Sequence, residues 1–375
     1  MAGLYIHVPF CRQACRYCDF YFTVSLKYRD EFVNALLKEI SYRKNYIFRD
    51  TISTIYLGGG TPSVLSKKQL DRIMGRVIRD YSIDGDAEIT IEANPDDLTG
   101  ESIDFLRGEG FNRLSIGIQS FQEKNLELMR RSHNAKQAKE CIGLAQSKGF
   151  ENISIDLIYG LPGLSLSEWE ETVGIAMEQP ITHISAYHLT YEPGTVFHHW
   201  KKKGRLNEVP EQISIDQYYS LRKLTGEAGF EHYEISNFAL EGFRSKHNST
   251  YWTGKKYLGL GPSAHSFNGK ERCWNVSSLK QYIEKVNSGE KFTESEILTT
   301  KDSYHDYLLT SLRTSDGADT EYIHNHFGEK ILTHLIGSAK PFIESEDIIL
   351  EKGILRMTPG GWLRSDQVIE ALMLY

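Results

Sequence analysis

The first two-thirds of the chain alternate short apolar runs with amphipathic stretches. Residues 4–8 read as a short strand, and residues 30–42 place Phe32, Leu36, Leu37 and Ile40 at helical spacing. Residues 51–57 are β-branched and end in Gly58-Gly59-Gly60, the pattern of a strand running into a tight turn. The same alternation predicts helices over 67–81, 101–109, 135–147 and 167–177, and strands over 88–92, 113–118, 152–159 and 183–189. Six strand–helix units in succession imply parallel pairing, because parallel neighbours need a crossover. Residues 154–158 are nearly continuously apolar, as expected of a strand covered on both faces. An α/β fold follows, either a complete or partial (β/α) barrel or an open doubly wound sheet. In both, chemistry sits at the carboxyl ends of the strands.

Beyond residue 190 the pattern loosens. Residues 191–204 read as a Pro/Gly loop whose Lys201-Lys202-Lys203 run is a solvated turn. A helix is expected over 212–229, and loop with short strands over 238–274. From about residue 291 a separate module carries helices over 302–312, 320–327 and 330–337. A hairpin over 354–363 is expected around Thr358-Pro359-Gly360-Gly361. Helices followed by a hairpin suggest a small winged-helix-like unit. The expected divisions are 1–235, 236–290 and 291–375.

A length of 375 residues allows two or three domains at about 150 residues each. Forty-three basic against 50 acidic residues give a net charge of −7, so the chain as a whole is not built to hold nucleic acid. No apolar run is long enough to span a membrane, and the first ten residues lack a signal-peptide pattern, so the expected location is the cytoplasm. Five cysteines, an odd number without an export signal, argue against a disulfide framework. Cys141, on an amphipathic helix, and Cys273, beside Trp274, read as packing residues.

The other three form Cys11-x3-Cys15-x2-Cys18, just past the first strand. Three thiolates on a short loop can bind three irons of a 4Fe–4S cube and leave the fourth without a protein ligand. Zinc would need a fourth ligand, for which His7 is available, although a structural His7 is the simpler reading. The spacing, with Tyr17 before the last cysteine, is similar to the signature of radical S-adenosylmethionine enzymes. The run Tyr5-Ile6-His7-Val8-Pro9-Phe10-Cys11 narrows the resemblance to the family that contains oxygen-independent coproporphyrinogen III oxidase (HemN) and the heme chaperone HemW. It extends along nearly the whole chain. The resemblance implies a partial (β/α)6 radical-SAM barrel with a small C-terminal helical, winged-helix-like domain. It also implies that S-adenosylmethionine chelates the fourth iron and that the reduced cluster cleaves it to a 5′-deoxyadenosyl radical.

Read alone, Gly58-Gly59-Gly60-Thr61-Pro62 is a tight turn, and no P-loop, because no Gly-Lys-Ser/Thr follows. Glu92 alone is a strand-end carboxylate, and Asp156 with Arg131 a structural ion pair. The resemblance instead implies S-adenosylmethionine contacts for Tyr5, Tyr17, Gly59, Gly60, Thr61, Glu92, Gln119, Arg131 and Asp156. Glu92 would accept from ribose hydroxyls or the amine, and Arg131 would match the carboxylate as a guanidinium fork does.

Two departures separate the chain from the oxidase. The oxidase motif runs on to a fourth cysteine, one residue beyond the third, where this chain has Asp19-Phe20. The oxidase also carries a substantial N-terminal extension, whereas ten residues precede Cys11 here. His247-Asn248-Ser249-Thr250-Tyr251-Trp252 matches the family's heme-associated His-Asn-x-x-Tyr-Trp. Imidazole can ligate heme iron, and Tyr251 and Trp252 can pack on a porphyrin; a lone histidine there would otherwise be a satisfied structural residue. His265, in a glycine-rich family-like segment, has no assigned role. The implied function is a heme chaperone that uses a 4Fe–4S cluster, S-adenosylmethionine and heme. Its implied partners are heme, a heme-acceptor protein (with peripheral association at a membrane-bound acceptor) and an electron donor, with no nucleic acid. The alternative is coproporphyrinogen III oxidation.

Overall fold

The computed structural model describes every residue except Arg49. Six parallel strands follow the chain in order: β1 (Ala2–Val8), β2 (Ile52–Gly59), β3 (Ile83–Ala93), β4 (Arg113–Gln119), β5 (Asn152–Tyr159) and β6 (His183–His188). Helices α1 (Arg29–Tyr42), α2 (Lys67–Asp80), α3 (Gly100–Gly108), α4 (Glu123–Met129), α5 (Ala135–Ser147) and α6 (Leu166–Met177) make the crossovers. Capping boxes start α2, α3, α5 and α6, at Ser66, Thr99, Asn134 and Ser165. The strand order never reverses, so right-handed crossovers put the helices on one face and wind the sheet as a barrel wall. The doubly wound alternative needs a reversal and is set aside.

The strands are not covered alike on their two faces, contrary to the apolar reading of residues 154–158. Leu4, Ile6 and Val8, Leu114, Ile116 and Ile118, and Ile153, Ile155 and Leu157 belong to the apolar core shared with the helices. Alternate positions carry Tyr5 and His7, Thr54 and Tyr56, Glu88, Thr90 and Glu92, Arg113 and Ser115, Ser154 and Asp156, and His183 and Ser185. The period of two therefore gives a greasy outside, where helices pack, and a polar inside.

Beyond β6 come α7 (Val196–Lys202), α8 (Glu211–Glu227), β7 (Glu231–Glu234) and β8 (Asn237–Ala239). The basic run expected in a turn instead ends α7, where cations suit the helix C-terminus. The segment expected as loop and short strands contains α9 (Lys246–Trp252), β9 (Tyr257–Leu260), β10 (His265–Phe267) and β11 (Glu271–Asn275), followed by α10 (Leu279–Ser288) and β12 (Thr293–Ile297). β8 joins β6 antiparallel, while β9 joins β1 parallel, giving one linear sheet of 12 strands. Helix α9 thus carries the chain from one edge of the wall to the other.

The remaining elements are α11 (Thr300–Ser311), β13 (Ala318–Asp319), α12 (Thr320–Phe327), α13 (Glu329–Glu344), β14 (Ile348–Glu351), β15 (Ile354–Met357), α14 (Pro359–Leu363) and α15 (Ser365–Leu372). They have their own three-stranded sheet and their own core around Tyr304, Leu335, Leu355 and Trp362, in winged-helix order. Two expectations shift here. Helix α13 runs on through Pro341 to Glu344, and the hairpin turns at Lys352-Gly353. The Thr358-Pro359-Gly360-Gly361 motif starts α14: Thr358 Oγ1 accepts from the Gly361 N–H at 3.1 Å.

One buried carboxylate fastens β9–β11 to the barrel. Glu39 on α1 accepts from the Gly261 N–H (2.8 Å), Asn275 Nδ2 (2.6 Å) and Tyr282 Oη (2.5 Å). Arg43, one turn on, lies 3.6 Å from Glu39 and donates to the Gly259 carbonyl at 3.2 Å. Glu39→Ala leaves this arginine and three donors unmatched and should cost about 3–5 kcal/mol in urea unfolding. Tyr282→Phe removes one donor and should cost about 1–3 kcal/mol.

Candidate functional site

At the carboxyl ends of β1–β6 lies a cavity of about 1710 Å³, bounded on another side by the C-terminal module. Cys11, Cys15, Cys18, Tyr17, Gly59, Gly60, Thr61, Glu92, Gln119, Arg131 and Asp156 all line it. Eleven of the twelve residues expected at the cluster and S-adenosylmethionine sites are thus brought to one volume. Tyr5, the twelfth, sits below the wall, with its hydroxyl 3.1 Å from His7 Nδ1.

The cysteine loop is held by backbone bonds. Thr23 N–H donates to the Pro9 carbonyl (2.7 Å), Cys11 N–H to the Thr23 carbonyl (3.0 Å) and Arg16 N–H to the Met129 carbonyl (3.1 Å). All five cysteines are free thiols. Burial pushes the Cys11 thiol up to about 11 and the Cys18 thiol up to about 12, so a bound metal's positive charge is what favours their thiolates. No group of three or more His, Cys, Asp or Glu among the described residues converges to hold a single metal ion. A cube asks something different, because each thiolate takes its own iron around a shared volume. His7 is buried with Nε2 3.0 Å from the Tyr21 carbonyl oxygen and Nδ1 against Tyr5, so it is structural.

The glycine run is dictated by close approach. A Cβ on Gly59, whose φ is 104°, would lie 2.4 Å from the His7 ring. A Cβ on Gly60 would lie 2.7 Å from the Phe10 carbonyl oxygen. The glycine turn can therefore lie flat on the strand that feeds the cysteine loop. Thr61 then donates its N–H to Phe10 O (2.7 Å) and its hydroxyl to Cys11 Sγ (3.6 Å).

Two carboxylates line the polar face. Glu92 accepts from Tyr56 Oη (2.8 Å) and the Gly59 N–H (3.1 Å), and burial followed by Asp156 pushes its carboxyl up to about 7. Asp156 accepts from Ser115 Oγ (3.4 Å); burial raises it to about 6, against hydrogen bonding from Ser185. Asp156 makes no ion pair with Arg131 among the described residues. Arg131 instead donates to Cys15 Sγ (3.2 Å), Asn94 Oδ1 (2.6 Å) and the Gly117 carbonyl (2.8 Å). Its Nε is buried without a partner among the described residues, one unfilled donor of a guanidinium beside the cysteines. Those donors and the free thiols fit a cluster carrying an amino-acid ligand. Gln119 ends β4 with φ at 67°. Sequence reasoning missed Asn94, whose position before Pro95 signalled only a strand end, and His188 at the end of β6.

The His247-to-Trp252 segment is elsewhere. It forms α9 and not a loop, and His247, Tyr251 and Trp252 are not among the residues that line the cavity. Both ring nitrogens of His247 are occupied: Nδ1 lies 2.8 Å from Thr54 Oγ1 and Nε2 lies 2.9 Å from Tyr251 Oη. The ring is 1 % exposed and stacks on Tyr56 at 5.0 Å. Burial and then the Arg113 charge lower its imidazole to about 3, so it is neutral. The N–H groups of Lys246 and His247 both donate to Glu88 (3.1 and 3.0 Å), fastening α9 under the amino-terminal half of the wall.

A barrel-wound α/β sheet with three free cysteines at its mouth defines a radical S-adenosylmethionine protein, and residues 5–175 match the Radical SAM superfamily. That family implies a 4Fe–4S cluster and S-adenosylmethionine. The similarity continues past the core. The heme chaperone HemW of Bacillus subtilis is 35 % identical over 377 residues, spanning 100 % of this chain and 99 % of that protein. The heme chaperone HemW of Escherichia coli is 37 % identical over 268 residues, 70 % of this chain and 69 % of that one. The solved coproporphyrinogen III oxidase (HemN) of Escherichia coli superimposes with a TM-score of 0.87 at 25 % identity, covering 100 % of this chain and 90 % of that one. The chain belongs to the HemW family.

Gly60→Ala should displace the strand before Cys11 and lower the iron and sulfide bound after anaerobic reconstitution. Gly85→Ala, where a Cβ meets nothing within 4 Å, should bind as much as the wild type. Equal iron in all three proteins would show that the close approach is not needed.

Proposed function

We propose that this chain is a heme chaperone that holds a 4Fe–4S cluster and S-adenosylmethionine at the barrel mouth, binds heme and passes it to an acceptor protein. The observation that carries this reading is 35 % identity along the whole chain with a heme chaperone HemW. In the proposed site, Cys11, Cys15 and Cys18 would hold three irons of the cluster as thiolates. Arg131 offers its free Nε–H to the S-adenosylmethionine carboxylate. The Gly59–Thr61 turn provides close backbone approach at the amino end, and Glu92 and Asp156 accept from the amine or ribose hydroxyls. Tyr17 and Gln119 complete the wall, while Tyr5 supports it from below. When bound, the cluster with S-adenosylmethionine supplies one-electron chemistry, for which an electron-donor protein is the further partner. Residues 1–235 form the proposed cofactor unit, 236–290 close it, and 291–375 bound the cavity.

Heme ligation by His247 would require its ring to give up either the bond to Thr54 or the bond to Tyr251. The oxidase reading draws on the likeness to HemN, but Phe20 stands where the oxidase motif has its fourth cysteine. Among the described residues no helix is long and apolar enough to cross a membrane.

The reconstituted protein should bind heme stoichiometrically and release it to an apo-acceptor. No specific heme binding, or robust turnover of coproporphyrinogen III under anaerobic reducing conditions, would overturn the chaperone reading. S-adenosylmethionine affinity should also depend on pH. A raised carboxyl keeps its proton longer, so the ionised acceptor of Glu92 appears only as pH rises through about 7. Calorimetric affinity should therefore increase across that range. Glu92→Gln should weaken binding by roughly 10- to 100-fold above it and flatten the dependence.

A further inference from the structure

The cavity is larger than the ~300–1,000 Å³ that holds one drug-sized ligand. Its lining also changes character. The cysteine and glycine turns give a polar wall, whereas β6, α8 and the C-terminal module contribute large apolar side chains left open. Tyr187 is 45 % exposed, Tyr219 43 % and Leu363 40 %, and all three line this cavity. Exposed aromatic and aliphatic groups gathered in one concavity mark a site for an apolar ligand.

His188 lies in the same wall. Its only hydrogen bond among the described residues joins Nε2 to Ser214 Oγ at 2.9 Å. That bond fixes the ring and leaves the second nitrogen for a metal, the usual outer support of a ligating histidine. Gly160, with φ at 72°, makes room for the ring, since a Cβ there would lie 2.5 Å from His188 Nε2. Of the acids on this side of the cavity, Asp347 pairs with Arg364 and Asp366 with Arg313, whereas Glu211 and Glu346 make no ion pair among the described residues. His247, by contrast, has no free nitrogen.

We propose that heme is held in the part of this cavity walled by β6, α8 and α14, with His188 as its iron ligand and Tyr187, Tyr219 and Leu363 against the macrocycle. The assignment rests on the heme-chaperone reading and specifies its site. It makes the C-terminal module one wall of the heme site and puts heme in the same cavity as the cluster.

The test is heme titration of the full-length, cluster-reconstituted protein, read by the Soret band. His188→Ala should weaken binding by ~10-fold or more and shift the band, with iron–sulfur content retained. Tyr219→Ala should weaken it roughly 3- to 10-fold with the band in place. Unchanged affinity and spectrum in His188→Ala would overturn the site, as would a loss confined to His247→Ala. If the wild-type chain takes up no heme, the chaperone reading fails together with the site. If it binds heme and His188→Ala binds equally well, only the site fails.

Discussion

The polar inner face of the barrel wall is the constraint on which the rest of the molecule depends. A buried polar group must find a partner, and alternate residues of six strands bring many such groups inside. Toward the amino ends of the strands the protein supplies most partners itself, through Glu88 with the α9 amides and Thr54 with His247, and leaves Arg113 Nε and Thr90 Oγ1 unpartnered among the described residues. Serine, histidine and tyrosine do the same across the wall at Ser154, His183 and Tyr233. At the carboxyl ends it does not. Glu92 and Asp156 are held above the ordinary carboxyl range, and Arg131 keeps an empty Nε. The same face is thus largely self-satisfied at one end and open to polar ligand groups at the other.

Much of this was legible in the chain. The cysteine spacing and the glycine run are local motifs, readable from adjacent residues, and it was the family resemblance that attached a chemistry to them. The strand–helix alternation was readable for the same reason. What escaped was non-local. Asp156 looked anomalous in an apolar strand until the inward period of Ser154, Asp156 and Ile158 placed it with Glu92 across the wall. The His247 segment reads as loop, and only the tertiary fold shows it as helix α9 packed against β1 and β2. The C-terminal hairpin was placed too late because Thr358-Pro359-Gly360-Gly361 has turn residues that equally suit a helix start.

The two ends of the wall communicate through short contacts. His247 stacks on Tyr56, whose hydroxyl donates to Glu92 at 2.8 Å, and His7 lies beneath Gly59 with Tyr5 at its other side. Tyr5 and Tyr56 are neighbours across β1 and β2 and form the layer between α9 and the mouth. Their large rings support the carboxylate from below while their hydroxyls face up. Helix α9 and the mouth are therefore built on one stack of side chains.

The pairing of β9 with β1 sets an order of events in synthesis. The strand that leads into Cys11 is made first, yet one of its two neighbours is Tyr257–Leu260, some two-thirds of the chain later. Until that segment leaves the ribosome, β1 has an open edge, and the Glu39 anchor for β9–β11 has no partners from Gly261, Asn275 or Tyr282. Long-range pairing of this kind is slow to form. The cysteine loop thus hangs from a strand that lacks its second neighbour until Tyr257–Leu260 has been made.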